Sequence, residues 1–230
     1  MIAICSSSSS SSSLINLSNF TSSSGLTYNG RVAGLVPVGG SNPLRLNNGV
    51  GRPQYNNFEA STVYTTNPIT FPSDMSFSTY FQFKIYDNVG INDPDPNDNT
   101  PGADGIMFII QDNDKTSLPI LSFGYQGLAR SFGVEIDTFM DNDVDPGDGN
   151  HIGLNYPGLI QSYRTQKSTT RFNNGQVWYV WIDYNGATTT IEVRVSQTSI
   201  RPQNYFLRDI TTGILSQVGR NIAYVGFGAS

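Results

Sequence analysis

Nine residues, Phe77–Ile85 (FSTYFQFKI), alternate with period two. Phe77, Thr79, Phe81, Phe83 and Ile85 fall on one side of an extended chain, and Ser78, Tyr80, Gln82 and Lys84 fall on the other. That is the pattern of a strand with one buried face. A helix would scatter the same residues around its axis. Related patterns recur along the chain. Gly105–Gln111 (GIMFIIQ) is a short unbroken apolar run and reads as a strand buried on both faces. Phe132–Phe139 (FGVEIDTF) puts Phe132, Val134, Ile136 and Thr138 on one face and Gly133, Glu135, Asp137 and Phe139 on the other. Val177–Tyr184 and Ala187–Ser196 flank Asn185-Gly186, which predicts a hairpin closed by a two-residue type I′ turn. Asn221–Ser230 (NIAYVGFGAS) reads as a further strand. No segment carries a helical period. Many short strands separated by Gly- and Asn-rich turns predict an all-β sandwich.

Composition agrees. The 230 residues suit one large β domain, and 37% hydrophobic residues supply its core. Only 13% are charged, about half the usual share, so polarity comes from Ser, Thr, Asn, Gln and Gly. That mixture favours strands and turns over helices. The net charge of −5, with Arg and Lys unclustered, argues against nucleic acid as a partner, because phosphate contacts need a basic face. The single cysteine, Cys5, excludes an internal disulfide framework. No apolar run approaches the roughly 20 residues of a membrane-spanning helix, so no membrane insertion is expected. Residues 1–13 (MIAICSSSSSSSS) read as a disordered Ser-rich leader, without the basic start of a complete secretory signal. Sequons stand at Asn16 and Asn19. One domain is expected over 14–230, with no repeat and no linker.

The stretch Val134–Asn155 (VEIDTFMDNDVDPGDGNHIGLN) holds 6 of the 18 acidic residues and the only histidine. Glu135 and Asp137 share a strand face about 7 Å apart, where they repel unless a cation or proton lies between them. Glu135, Asp137, Asp145 and His151 mix carboxylates with an imidazole, a donor set suited to a transition metal such as Mn²⁺. Asp137, the Phe139 carbonyl, Asp141 and Asp145 are all-oxygen donors suited to Ca²⁺. The run Asp141-x-Asp143-x-Asp145 opens like a helix-flanked Ca²⁺ loop, but Pro146 stands where that loop needs Gly and Ile152 where it needs Glu. A glycoside hydrolase is the enzymatic alternative. It needs two carboxylates about 5–9 Å apart across a sugar, and no second Glu follows at the expected place. A structural sandwich whose ions only stabilise it, and an acidic surface loop with no ion, are the other readings.

Taken in order, Gly102–Gln111 (GADGIMFIIQ), Phe123–Leu128 (FGYQGL), Val134–Asn155, Ile191–Gln197 (IEVRVSQ) and Ala223–Ser230 (AYVGFGAS) resemble the L-type (legume-type) lectins, bacterial members most closely. The resemblance runs from about Leu14 to Ser230. It implies a concanavalin-like jelly-roll sandwich of two antiparallel sheets. It implies a Mn²⁺-type site at Glu135, Asp137, Asp145 and His151, and a Ca²⁺ site at Asp137, Phe139, Asp141 and Asp145. It implies that the ions shape a sugar site around a cis peptide at Ala103–Asp104, with Asp104, Gly105, Leu121, Phe139, Asp141 and Asn142 as candidate sugar contacts. The implied activity is non-catalytic recognition of glycans or glycoconjugates, on a secreted or cell-surface protein that can form homo-oligomers. The chain departs from the family pattern in four places. The usual sugar-contacting Asn falls on Asp141, with Asn142 one residue late. The spacing from Asp145 to His151 is one residue longer than in plant members. Leu121 falls near a usual Gly. The chain stops at Ser230, before a sugar-contacting loop and a last core strand, which implies an open sheet edge.

Overall fold

The computed structural model describes residues 25–30, 34–35, 44–46, 60–86, 92–95, 99–119, 122–145 and 147–230. The Ser-rich leader, Cys5, both sequons, Leu121 and Pro146 lie outside them. The strands are β1 (Leu26–Asn29), β2 (Gly34–Leu35), β3 (Leu44–Arg45), β4 (Ser61–Thr65), β5 (Ile69–Thr70), β6 (Phe77–Phe83), β7 (Gly105–Gln111), β8 (Ser131–Asp137), β9 (His151–Asn155), β10 (Ser162–Lys167), β11 (Trp178–Asn185), β12 (Thr190–Ser196), β13 (Leu207–Ile210) and β14 (Ile222–Ala229). Two helical turns, α1 (Ser122–Tyr125) and α2 (Ile214–Val218), complete the described elements.

One sheet follows the order β1-β4-β14-β7-β8-β9-β10, with β5 attached to β14. The other follows β13-β12-β11-β6, and β2 pairs β3 separately. Every strand pair is antiparallel. Among the described residues only β11 pairs with β6, so β6 borders the smaller sheet. The two sheets stack through the residues that the alternation marks as inward. Phe81 of β6 meets the edge of Phe227 of β14 at 4.9 Å and lies 6.3 Å from Phe108 of β7. Aromatic contacts of this kind add about 0.5–1.5 kcal/mol each beyond the area they bury.

β7 explains its own unbroken apolar run. Ile106, Phe108 and Ile110 enter the core between the sheets. Met107 and Ile109 point the other way, under Phe123, Tyr125 and Leu128, with Tyr64 of β4 beside them. The chain between β7 and β8 thus folds back over that face and gives the larger sheet a second, smaller core.

The hairpin at 178–196 forms, but its turn differs from the expectation. Asn185 pairs with Thr190, so four residues close the turn, and the positive φ falls at Thr189 (49°). Gly186 serves close approach instead: a Cβ there would run into the Asp74 carbonyl. Among the described residues no helix is long and apolar enough to cross a membrane.

Candidate metal centre and adjoining loops

The alternation along β8 decides where the acidic residues go. Phe132, Val134 and Ile136 point into the core, so Glu135 and Asp137 must emerge on the opposite face. β9 runs antiparallel beside β8, with Ile152 opposite Ile136 and Gly153 opposite Glu135. His151, the first residue of β9, therefore faces the same acids. Glu135, Asp137 and His151 bring one ligand atom each to within 4.8 Å of one another, and all three residues are buried.

Neighbouring groups fix these side chains. His151 Nε2 lies 3.1 Å from Glu135 Oε1, and Nδ1 lies 3.0 Å from the Asp148 carbonyl. A proton on Nδ1 donates to that carbonyl and leaves Nε2 turned toward the acids, the usual support for a ligating imidazole. Glu135 Oε1 also accepts from Ser162 Oγ at 2.5 Å, and Oε2 accepts from Asn155 Nδ2 at 2.9 Å. Gly153 leaves the room this needs; a Cβ there would meet Ser162 Oγ and the Glu135 carboxylate. Asp137 Oδ1 accepts the Phe139 N–H at 2.8 Å.

The electrostatics show what the cluster lacks. Burial raises the Asp137 carboxyl well above the usual range; the charge of His151 opposes this, while Glu135 and Asp145 add to it. Burial likewise pushes Asp145 up to about 7, against the Asp141 N–H that its carboxylate accepts. Burial opposes charge on His151, but the Glu135 hydrogen bond and the charges of Asp137, Glu135 and Asp145 outweigh it and lift it to about 9. The protein alone gives these groups too little positive charge, so Asp137, Asp145 and His151 hold protons. A divalent cation can take their place. Glu135, Asp137 and His151 mix carboxylates with an imidazole, a donor set that suits a transition metal, and Asp145, expected as a fourth ligand, is not in that group. The oxygens of Asp137, Phe139, Asp141 and Asp145 are donors of the kind Ca²⁺ takes. Asp141 and Asp145 are drawn together by a turn in which the Asp145 N–H donates to the Asp141 carbonyl at 2.8 Å and the Asp141 N–H donates to Asp145 Oδ2.

Asp104 stands beside this loop. The Ala103–Asp104 peptide is cis. The Asp104 carbonyl accepts the Thr138 N–H at 2.9 Å, which joins it to the residue after Asp137. Its N–H donates to the Ser230 carbonyl at 2.7 Å, and its Oδ2 accepts from Ser230 Oγ at 2.6 Å. Ser230 Oγ in turn accepts the Phe123 N–H at 2.9 Å. Burial raises the Asp104 carboxyl, the Ser230 hydroxyl opposes that, and the charge of Asp141 adds to it. Gly105 pairs with Asp137 at φ 133°, with no space for a Cβ against the Ile136 carbonyl. Phe139 is half-buried, while Asp141 and Asn142 are exposed. The structure thus gathers Asp104, Gly105, Phe139 and Asp141 around the buried acids; Leu121 is outside the described residues. Ser230, Asn155 and Ser162 were not foreseen. Only the strand register, which places Asn155 opposite Gly133 and Ser162 opposite Asn155, could have pointed to the last two.

Comparison with known proteins follows the same outline. The family described as "Legume lectin domain" matches residues 8–230. Among curated proteins, the L-type lectin-domain containing receptor kinase VIII.1 of Arabidopsis thaliana is 31% identical over 160 residues, covering 64% of this chain and 21% of that protein. The chain spans about a fifth of the length of that relative. Among solved structures, lectin UEA-II complexed with galactose superposes with a TM-score of 0.67 at 22% identity, over 89% of this chain and 84% of that one. Basic winged bean lectin with Tn-antigen superposes at 0.62 and 25% identity, over 90% and 82%.

Proposed function

This chain belongs to the legume lectin domain family, and from that premise we propose that it is a metal-dependent carbohydrate-binding module without a catalytic step. The observation that carries the reading is the joining of two features. A buried Glu135–Asp137–His151 set stands ready for a cation, and Asp104 is tied by its own backbone to Thr138 at the edge of that set. In this reading 14–230 acts as one lectin domain.

Bound ions would supply the positive charge that lets Asp137 and Asp145 ionise at neutral pH, and so hold the loop in one shape. The rest is done by the chain's own groups. Asp104 accepts hydrogen bonds from sugar hydroxyls, and the half-buried Phe139 ring covers the apolar face of the sugar ring. Asn142 is exposed and carries the amide donors that Asp141 lacks. Gly105 borders the same place. Sugars named with the structural neighbours, galactose and Tn-antigen, support a glycan as the ligand class. Receptor kinases among the relatives support a place outside the cell or on its surface. That relative is a plant protein, so the bacterial affinity rests on the chain's own motifs.

A hydrolytic role has less behind it. Glu135 is 1% exposed and holds Asn155, Ser162 and His151, whereas a catalytic pair must face the sugar. The test is a glycan array probed with Ca²⁺ and Mn²⁺, in EDTA, and after both ions are restored. Binding should vanish in EDTA, return with the ions, and be lost in Asp104→Ala. Binding that survives chelation overturns the reading, as does β-glucan hydrolysis that disappears in Glu135→Gln. An empty array with metal-dependent melting favours a purely structural sandwich. Light scattering on the same samples reports homo-oligomers.

A further inference from the structure

Beside the candidate ligands, the chain pairs a buried carboxylate with a partly buried guanidinium far from it in sequence. Asp93 is 1% exposed. Its Oδ1 accepts the Asp95 N–H at 2.9 Å and the Met140 N–H at 3.1 Å, and its Oδ2 accepts from Arg171 Nη1 at 3.1 Å. Arg171 also reaches main-chain oxygens. Nη2 donates to the Thr138 carbonyl at 2.8 Å, and Nη1 reaches the Gly149 carbonyl at 3.4 Å. Nε donates to Asn173 Oδ1 at 3.1 Å.

These contacts have one geometric meaning. Thr138 and Met140 enclose Phe139, whose carbonyl is a candidate Ca²⁺ donor at the entry of the acidic loop. Gly149 lies at its exit, two residues before His151. One carboxylate and one guanidinium therefore grip both ends of the loop. The fit is close: a Cβ on Gly149 would strike Asp93 Oδ2 and the Met140 nitrogen. Asn150 reinforces the exit. Its Nδ2 donates to the Thr170 carbonyl at 3.1 Å and its Oδ1 accepts the Phe172 N–H at 3.1 Å, on either side of Arg171. The Asp93 N–H donates to the Thr100 carbonyl at 3.2 Å, and Asn92 forms a bridge with Pro101. Asp104 follows three residues later.

We propose that Asp93 and Arg171 are positioning residues that preset the acidic loop for Ca²⁺ without touching the ion. The inference rests on reading 137–151 as a metal loop. A loop that must bring Asp137, Asp141 and Asp145 to one ion loses conformational freedom when it closes. Held ends spare the ion the entropic work of closing it, which is how preorganisation raises affinity. Removing Arg171 takes away the cation paired with the buried Asp93 carboxylate. Lys at 171 keeps the charge but lacks the planar fork that reaches Asp93, Thr138 and Gly149 together.

The experiment is calorimetric titration of Ca²⁺ into the full chain and into Asp93→Ala, Arg171→Met, Arg171→Lys and the Asp93→Ala/Arg171→Met double variant, with melting in Ca²⁺ and in EDTA. Each single removal should weaken Ca²⁺ binding about tenfold, equivalent to about 1.4 kcal/mol. The double variant should be no weaker than the worse single one, because both remove the same clamp. Arg171→Lys should fall between, and it carries the test if Arg171→Met does not fold. The gap between melting in Ca²⁺ and in EDTA should narrow in every weakened variant. At saturating Ca²⁺ the glycan Kd should stay within about threefold of the parent, as expected when the sugar contacts themselves are intact. A wild-type Ca²⁺ Kd in Arg171→Lys and Arg171→Met overturns the clamp, even if both melt lower; so do fully additive losses in the double variant. A parent that binds Ca²⁺ but no glycan refutes the proposed function and leaves the clamp readable from the Ca²⁺ ratios. A parent that binds no Ca²⁺ refutes both.

Discussion

Replacing Gly153 with alanine pushes a methyl group into the carboxylate of Glu135. The new Cβ would lie 2.9 Å from Glu135 Cδ and closer still to Oε1 and to Ser162 Oγ. None of these atoms can step aside freely. Oε1 is held by His151 Nε2 at 3.1 Å and by Ser162 at 2.5 Å, and Oε2 by Asn155 at 2.9 Å. Ser162 Oγ is also 3.1 Å from Asn155 Oδ1. Overpacking a tight site costs about 1–3 kcal/mol, and giving up one hydrogen bond to a charged group costs about 1.5–3 kcal/mol. The two are alternative ways to relax the same clash, so about 2–3 kcal/mol is the expected loss. At about 2–4 °C per kcal/mol for a chain of this size, Tm falls by about 4–12 °C. The assay is a thermal melt of Gly153→Ala beside the parent, in EDTA and with Mn²⁺, together with a Mn²⁺ titration. Mn²⁺ binding should weaken because Glu135 is moved. A variant that melts and binds Mn²⁺ like the parent refutes the placement of Glu135 between Gly153, Ser162 and His151.

Two further outcomes follow from the same geometry. Without metal, Asp145 is raised from 3.8 to about 7 and Asp137 is raised as well, so each lowers folded-state stability as pH climbs above 3.8; His151, raised from 6.5 to about 9, adds stability below 6.5 that is lost as pH rises through 9. Melts in EDTA should therefore fall from pH 5 through 7 to 9, while the stabilisation given by added metal grows; a rise with pH in EDTA contradicts the charge balance of the cluster. Phe139→Ala should weaken glycan binding about tenfold and leave Ca²⁺ affinity unchanged, since only the backbone carbonyl of that residue is a candidate ligand; parallel titrations of sugar and ion check both parts.

The sandwich was largely legible because strand burial writes itself as period two. Phe77–Phe83, the two-sided apolar run of β7 and the split of β8 into a core face and an acidic face appear in the structure as the sequence implies. The hairpin turn was misread because glycine marks both positive φ and close approach, and at Gly186 the backbone of Asp74 makes the second reason apply. The acids of the candidate site were visible because six of them crowd one short span beside a lone histidine. Their supports were not. Asp93 and Arg171 are separated by 78 residues, and Ser230 and Asp104 by 126. Such contacts arise only when loops from different parts of the sandwich are packed together, and no local pattern encodes them. Asn155 and Ser162 sit on β9 and β10 in short polar positions that look like solvent-facing strand residues until Glu135 is placed between them.

Elemental analysis of the purified chain, after dialysis against Ca²⁺ and Mn²⁺ and then against metal-free buffer, tests the metal centre most directly. The expected result is about one Ca²⁺ and about one Mn²⁺ retained per chain, as the all-oxygen and the imidazole-containing donor sets imply, with the Mn²⁺ lost in His151→Ala. A chain that retains neither ion, or that keeps its Mn²⁺ in His151→Ala, contradicts the assignment of Glu135, Asp137, Asp145 and His151 as metal ligands.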